Sequence, residues 1–207
     1  MKKAIMFDLD GTLWDSAAGV AIAWNRALEK QGRPERIDEK YVHSVMGMTM
    51  DAIAMNMLPG ETPEEAVRIM ELCLQMENEY LLEHGGTLYD GLAETLGILK
   101  GRGYFLSIVS NCQEGYIEAF LGYHGLGQYF DDTENFGRTK HGKGYNIRLV
   151  ADRNGLDQVT YLGDTQGDYD AAVEAGVHFL HAAYGFGRVP EGTPAIRDFR
   201  ELTKVFP

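Results

Sequence analysis

The pattern of apolar and polar positions divides the chain into three stretches. Ala4 to Phe7 is an unbroken apolar run, too short for a helix, and reads as a strand buried on both faces. It runs directly into Asp8 and Asp10. The period then becomes helical. Val20, Ala23, Trp24, Ala27 and Leu28 share one face of a helix predicted over 17–30 and ended by Gln31-Gly32. Shorter helices are predicted over 38–46 and 50–57, broken at Gly47, with a turn at Pro59-Gly60. Thr62-Pro63-Glu64-Glu65 predicts a helix start, with Thr62 as N-cap, Pro63 in the first turn and Glu65 closing a capping box. Val67, Met70, Cys73, Leu74 and Leu81 give that helix its apolar stripe as far as Gly85-Gly86. No strand is predicted between 16 and 84, and four helices in one block suit a small bundle.

From Leu88 onward helices and strands alternate, the pattern of a parallel α/β sheet. Helices are predicted over 91–100, 113–123, 143–154 and 169–175, strands over 104–109, 134–136, 160–162 and 177–182, and a last short helix over 198–204. The first strand belongs with this later part, and the helical block interrupts the two.

Chemistry-bearing residues fall at the ends of the predicted strands. Asp8 and Asp10 alternate along a strand direction, and Gly11 behind them permits a sharp departure of the backbone. Helix capping explains Asp15 or Ser16 and leaves Asp8, Asp10 and Gly11 together without a cause. Ser110-Asn111 closes the strand over 104–109; both types are common in turns. Lys143, in His141-Gly142-Lys143-Gly144, opens a predicted helix, and Lys140 is a rival; most lysines are simply solvated. Gly163-Asp164-x-x-x-Asp168 follows a strand; Asp168 could cap the next helix, which leaves Asp164 unexplained. The ends of strands in an open parallel sheet are where ligands bind, so four such places in order point to one shared site.

Composition narrows the partners. Of 207 residues, 44% are hydrophobic and 24% charged, ordinary for a globular fold. The formal charge of −12 repels nucleic acid and anionic membrane, so neither is an expected partner. An anionic substrate would need a local cation, a metal or a buried lysine. Cys73 and Cys112 form no CxxC pair or disulfide framework, which suits a reducing cytoplasm. Asp8 and Asp10 interrupt the apolar run behind Lys2-Lys3 too early for a signal peptide, and no stretch reaches membrane-spanning length.

Asp8-Leu9-Asp10-Gly11-Thr12 after an N-terminal strand, followed in order by the other three motifs, resembles the haloacid dehalogenase superfamily, in particular its phosphoglycolate phosphatase-like members. The resemblance implies a Rossmann-like core (1–15 and 85–207) with an inserted all-helical, four-helix-bundle-like cap (16–84). It implies a Mg²⁺-dependent phosphatase for a small phosphate monoester, with Asp8 as nucleophile and Asp10 as general acid and base. Ser110, Asn111 and Lys143 would bind the phosphoryl group. Asp8, Asp164 and the main-chain carbonyl of Asp10 would hold Mg²⁺, and Asp168 would orient a metal-bound water or pair with Lys143. Gly47-Met48-Thr49 resembles the family's specificity loop, although a plain helix break explains it almost as well. Met46, Met48, Met50, Met55 and Met57 suit helix packing, and a lone His43 suits a structural role. The cap shows no basic cluster, which favours a small substrate with little charge beyond its phosphate. A phosphomutase and a catalytically silent phosphometabolite-binding protein are the alternatives; a dehalogenase is disfavoured because that branch lacks the second acid, here Asp10. A cytoplasmic monomer or weak dimer is expected.

Overall fold

The computed structural model describes residues 2–207. A six-stranded, wholly parallel sheet organises it, in the order β5-β4-β1-β6-β7-β8. Strand β1 (Lys3–Phe7) is central and is followed by the two-residue β2 (Trp14–Asp15). Four helices come next: α1 (Ala17–Lys30), α2 (Glu39–Val45), α3 (Met50–Met57) and α4 (Pro63–His84). After β3 (Thr87–Leu88), the chain alternates through α5 (Leu92–Gly101), β4 (Phe105–Ser110), α6 (Tyr116–His124), β5 (Asp132–Asn135), α7 (Phe136–Thr139), α8 (Lys143–Arg153), β6 (Gln158–Gly163), α9 (Gln166–Ala175) and β7 (His178–Ala182). It closes with β8 (Ala195–Ile196), a 3₁₀ turn and α10 (Leu202–Val205).

Burial on both faces is why β1 reads as a continuous apolar run. Ile5 and Phe7 join the larger hydrophobic cluster, while Ala4 and Met6 join a second one under α8 and α9. The larger cluster continues from the sheet through Trp14, Trp24, Val42, Ile53, Ile69 and Leu81, so the helical layer and the sheet share apolar packing.

The helical block enters and leaves through a feature that the sequence reading did not contain. β2 and β3 pair antiparallel, Trp14 opposite Leu88 and Asp15 opposite Thr87, and tie the two ends of the helical block together. The helix starts also differ in detail. Thr62 accepts from the Glu65 amide, but the Glu65 carboxylate turns to Arg68, so the expected capping box is half made. At α1 the Asp15 carboxylate accepts from the Ala17 amide, while Ser16 caps nothing and points elsewhere. The strand expected over 134–136 lies at Asp132–Asn135, because Phe136 already begins α7.

Candidate active site

Three adjacent parallel strands end side by side. Phe7 of β1 lies level with Ile108 of β4 and Leu162 of β6, so Asp8, Ser110 and Asp164 emerge at one edge of the sheet. The Asp8 amide still donates to the Leu162 carbonyl at 2.8 Å, which fixes the height of its carboxylate. The chain then turns sharply at Gly11, whose φ of +76° is costly for other residues. A Cβ there would also lie 2.4 Å from Asp164 Oδ2.

Lys143, the first residue of α8, is 5% exposed. Its ammonium donates to Asp8 Oδ1 at 2.8 Å and to Asp168 Oδ1 at 2.5 Å. Lys140 does not reach the site; it ends α7 exposed and in a left-handed conformation, its ammonium over the Phe136 ring. Asp168 has two tasks. Besides Lys143, it completes a capping box with Thr165 at the start of α9, and its Oδ2 accepts from the amides of Asp164 and Thr165 and from the Thr165 hydroxyl.

Asp8, Asp164 and Asp168 bring one carboxylate oxygen each within 4.8 Å of one another, all buried. Burial, and then the Asp168 charge, pushes Asp8 well above the usual carboxylate range against the pull of Lys143. The same two causes push Asp164 to about 7. Asp164 Oδ2 accepts from the amides of Phe186 (2.7 Å) and Gly187 (3.2 Å), whereas Oδ1 is buried without a hydrogen-bond partner. Hard oxygen donors, excess buried negative charge and one unpartnered oxygen fit a divalent cation such as Mg²⁺.

The Asp10 side chain stands apart from this cluster. Its Oδ1 accepts from Ser16 Oγ and Tyr116 Oη, both at 2.8 Å, and those hydroxyls are 2.7 Å from each other. Burial raises Asp10 to about 6, partly offset by these two hydrogen bonds. Two nearby carboxyls are therefore held differently, Asp8 by an ammonium and Asp10 by hydroxyls.

Ser110 Oγ accepts from the Cys112 amide at 3.3 Å. Asn111 Nδ2 donates to the Gly47 carbonyl at 2.9 Å, linking the end of β4 to the loop between α2 and α3. Gly47 and Met48 of that loop line a cavity that Asp10, Ser110 and Asn111 also line. Thr49 does not line it and sits at the start of α3. His43 reaches β2 instead, with its ring against Phe186 and its Nε2 3.1 Å from the Asp15 carboxylate.

The sequence reading gives no part in the site to Ser16, Tyr116, Trp24, Glu77 or the Gly185–Gly187 turn, although it places Trp24 on a helix face and Ser16 at a helix start. Only Glu77 carried a signal: it continues the Met70-Cys73-Leu81 stripe of α4 as its one charged member. Gly185 lies so close that a Cβ would sit 2.3 Å from the Gly11 carbonyl oxygen and 2.4 Å from Asp164 Cβ.

Comparison with known proteins agrees with this fold. The family model described as haloacid dehalogenase-like hydrolase matches residues 5–182. A phosphoglycolate phosphatase from Escherichia coli (strain K12) is 29% identical over 212 residues, covering 89% of this chain and 82% of its own. A probable phosphatase, IndB, from Dickeya dadantii is 28% identical, with 89% and 83% covered. Among solved structures, a predicted phosphoglycolate phosphatase from Haemophilus somnus superposes with a TM-score of 0.85 at 25% identity, covering 100% of this chain and 98% of its own. The match covers most of the motif-bearing chain, and the protein belongs to the haloacid dehalogenase-like hydrolase family.

Proposed function

We propose that this hydrolase cleaves a small phosphate monoester in two steps through an aspartyl-phosphate on Asp8. The observation that carries the reading is the convergence of Asp8, Lys143, Asp164 and Asp168 at one buried point beside Asp10. The cation held by Asp8, Asp164 and the Asp10 main-chain carbonyl would be Mg²⁺, and when bound it neutralises phosphoryl and carboxylate charge.

The chain's own groups account for the remaining steps. An Asp8 carboxylate oxygen forms a bond to phosphorus while the bond from phosphorus to the ester oxygen breaks. Lys143 beside Asp8 balances the phosphoryl charge, and Asp168 keeps its ammonium in place. Ser110 and Asn111 offer a hydroxyl and an amide to the phosphoryl oxygens; Asn111 has a second N–H besides the one given to Gly47. Asp10, near 6, can carry the proton that the leaving alkoxide takes up. Deprotonated, it then takes a proton from the water that attacks the aspartyl-phosphate. Helices α1–α4 act as the cap: the Asn111–Gly47 contact closes them over Asp10 and excludes water.

Phosphate release from a panel of esters with Mg²⁺ tests the proposal. Asp8→Asn is expected to lower kcat by roughly 10⁴-fold or more while the protein stays folded. Turnover by that variant near the wild-type rate rules out Asp8 as nucleophile. Recovery of an isomer without free phosphate would point to transfer instead.

A further inference from the structure

The cavity between the helical layer and the strand ends is lined at its floor by Asp10, so under the phosphatase reading it receives the leaving group. It is small, about 30 Å³, against the roughly 10–15 Å³ that admits one water. Its wall is mostly apolar, from Val20, Val45, Met48, Met50 and Ile53. None of its lining residues is Lys, Arg or His, and its ionisable groups are acids, a thiol and a phenol: Asp10, Glu77, Cys112 and Tyr116.

The Glu77 carboxyl and Asn111 Oδ1 belong to this wall and are left over by the phosphoryl chemistry, which calls only on the Asn111 N–H. Glu77 is 4% exposed; one of its carboxyl oxygens accepts from Trp24 Nε1. Asn111 Oδ1 is buried without a hydrogen-bond partner, and the Nδ2 bond to Gly47 fixes which end of the amide is the acceptor. An unpaired acceptor calls for a donor. A hydroxyl supplies one and a carboxylate does not.

We infer that the leaving group is a small uncharged alcohol with a second hydroxyl, bound by Glu77 and Asn111, and that esters whose leaving group carries a carboxylate, phosphoglycolate included, are poor substrates. A carboxylate there would be a buried negative charge beside Asp10 with no cation in the wall to pair it, which is costly in a dry site. An alcohol hydroxyl donates to Asn111 Oδ1 and meets a Glu77 that is mostly protonated at neutral pH, because burial pushes it to about 8. Glu77 is thus a specificity residue on the leaving-group side.

The inference rests on the phosphatase reading, and four esters separate the two. With Mg²⁺ at pH 7, kcat/KM is compared for 2-hydroxyethyl phosphate, ethyl phosphate, 2-phosphoglycolate and O-phosphoethanolamine, which differ chiefly in the distal group. The hydroxyethyl ester is expected to exceed both the glycolate and the ethyl ester by at least about tenfold, with the amine between or below. Glu77→Leu is expected to collapse the hydroxyethyl-to-ethyl preference mainly through KM, and Glu77→Gln to restore it. Met48→Lys, which places a cation in the wall, should shift the ratio toward 2-phosphoglycolate. A wild-type enzyme that prefers phosphoglycolate or phosphoethanolamine, or a Glu77→Leu variant that keeps the hydroxyl preference, overturns the inference and leaves the phosphatase reading intact. Absence of release from all four and from 4-nitrophenyl phosphate overturns both. The wild-type ratios decide the substrate class even if Glu77→Leu fails to fold.

Discussion

Lys143 and Glu77 show how buried charge is managed here, with opposite consequences for stability. Lys143 sits between two buried carboxylates that hold its ammonium charged more firmly than in water, against the effect of burial. A lysine whose folded pKa is raised contributes stability that is complete below its unfolded value and fades only above it, so the contribution is intact across pH 5–9. Lys143→Met removes the ammonium and leaves Asp8 facing Asp168. We expect a loss of about 3–5 kcal/mol at pH 8, shrinking toward pH 5 as one carboxyl takes up a proton, measured by urea unfolding at both pH values. Glu77 is an acid raised by burial to about 8. It is neutral in the folded chain and ionised in the unfolded chain between about 4.5 and 8, so native stability falls over that window, by about 1.4 kcal/mol per pH unit at most. Glu77→Gln removes this linkage. The Tm difference, variant minus wild type, is expected to grow between pH 5 and pH 8 and then level off; a difference independent of pH would show that Glu77 does not titrate with folding. Asp8, Asp10 and Asp164 were legible in the sequence because each follows a short apolar strand. Ser16 and Tyr116 were not, because the contact that joins them spans 100 residues and neither breaks the pattern around it.

Elements with a long period could be read and elements of two residues could not. α1 and α4 were found close to their ends because their stripes repeat over several turns and their termini carry Gly or Thr-Pro signals. β2, β3 and β8 are too short for alternation to exist, and what holds them is pairing with a partner distant in sequence. The Gly185 turn belongs with them. In the sequence it was one glycine in a Gly- and Pro-rich tail, yet it lets the chain pass against the Gly11 carbonyl while the amides of Phe186 and Gly187 grip Asp164. Gly185→Ala would push this turn away from β1 or displace Asp164. The expected result is a weaker Mg²⁺ affinity, by about tenfold or more, with a smaller loss of stability, measured by calorimetric titration and thermal melting. Gly60→Ala is the control: like Gly185 it is not among the glycines with positive φ, but it has no atom near its Cβ position, so it should leave Mg²⁺ affinity unchanged.

At the scale of the whole molecule, an acidic chain has gathered three buried carboxylates, two of them paired with one lysine, an arrangement that a cation should stabilise. The formal charge of −12 adds a diffuse repulsion that any salt screens. The cluster of Asp8, Asp164 and Asp168 is different, because its oxygens are buried and only an ion that enters the site can neutralise them. The two contributions can be separated by melting. A ligand that binds only the folded state stabilises by RT ln(1 + [L]/Kd), about 2.7 kcal/mol at a hundredfold excess over Kd. For a chain of this length that corresponds to a Tm rise of roughly 5–10 °C. Mg²⁺ is therefore expected to raise Tm with the logarithm of its concentration and EDTA to reverse the rise. NaCl at matched ionic strength should give only a small change. Asp164→Asn should abolish the Mg²⁺-specific part and keep the response to NaCl. The rise should also be smaller at pH 5.5 than at pH 8, because Asp164, near 7 without a cation, must lose its proton before it can hold one. An equal response to Mg²⁺ and to NaCl at matched ionic strength would mean that the acidic surface, and not the buried cluster, is what cations relieve.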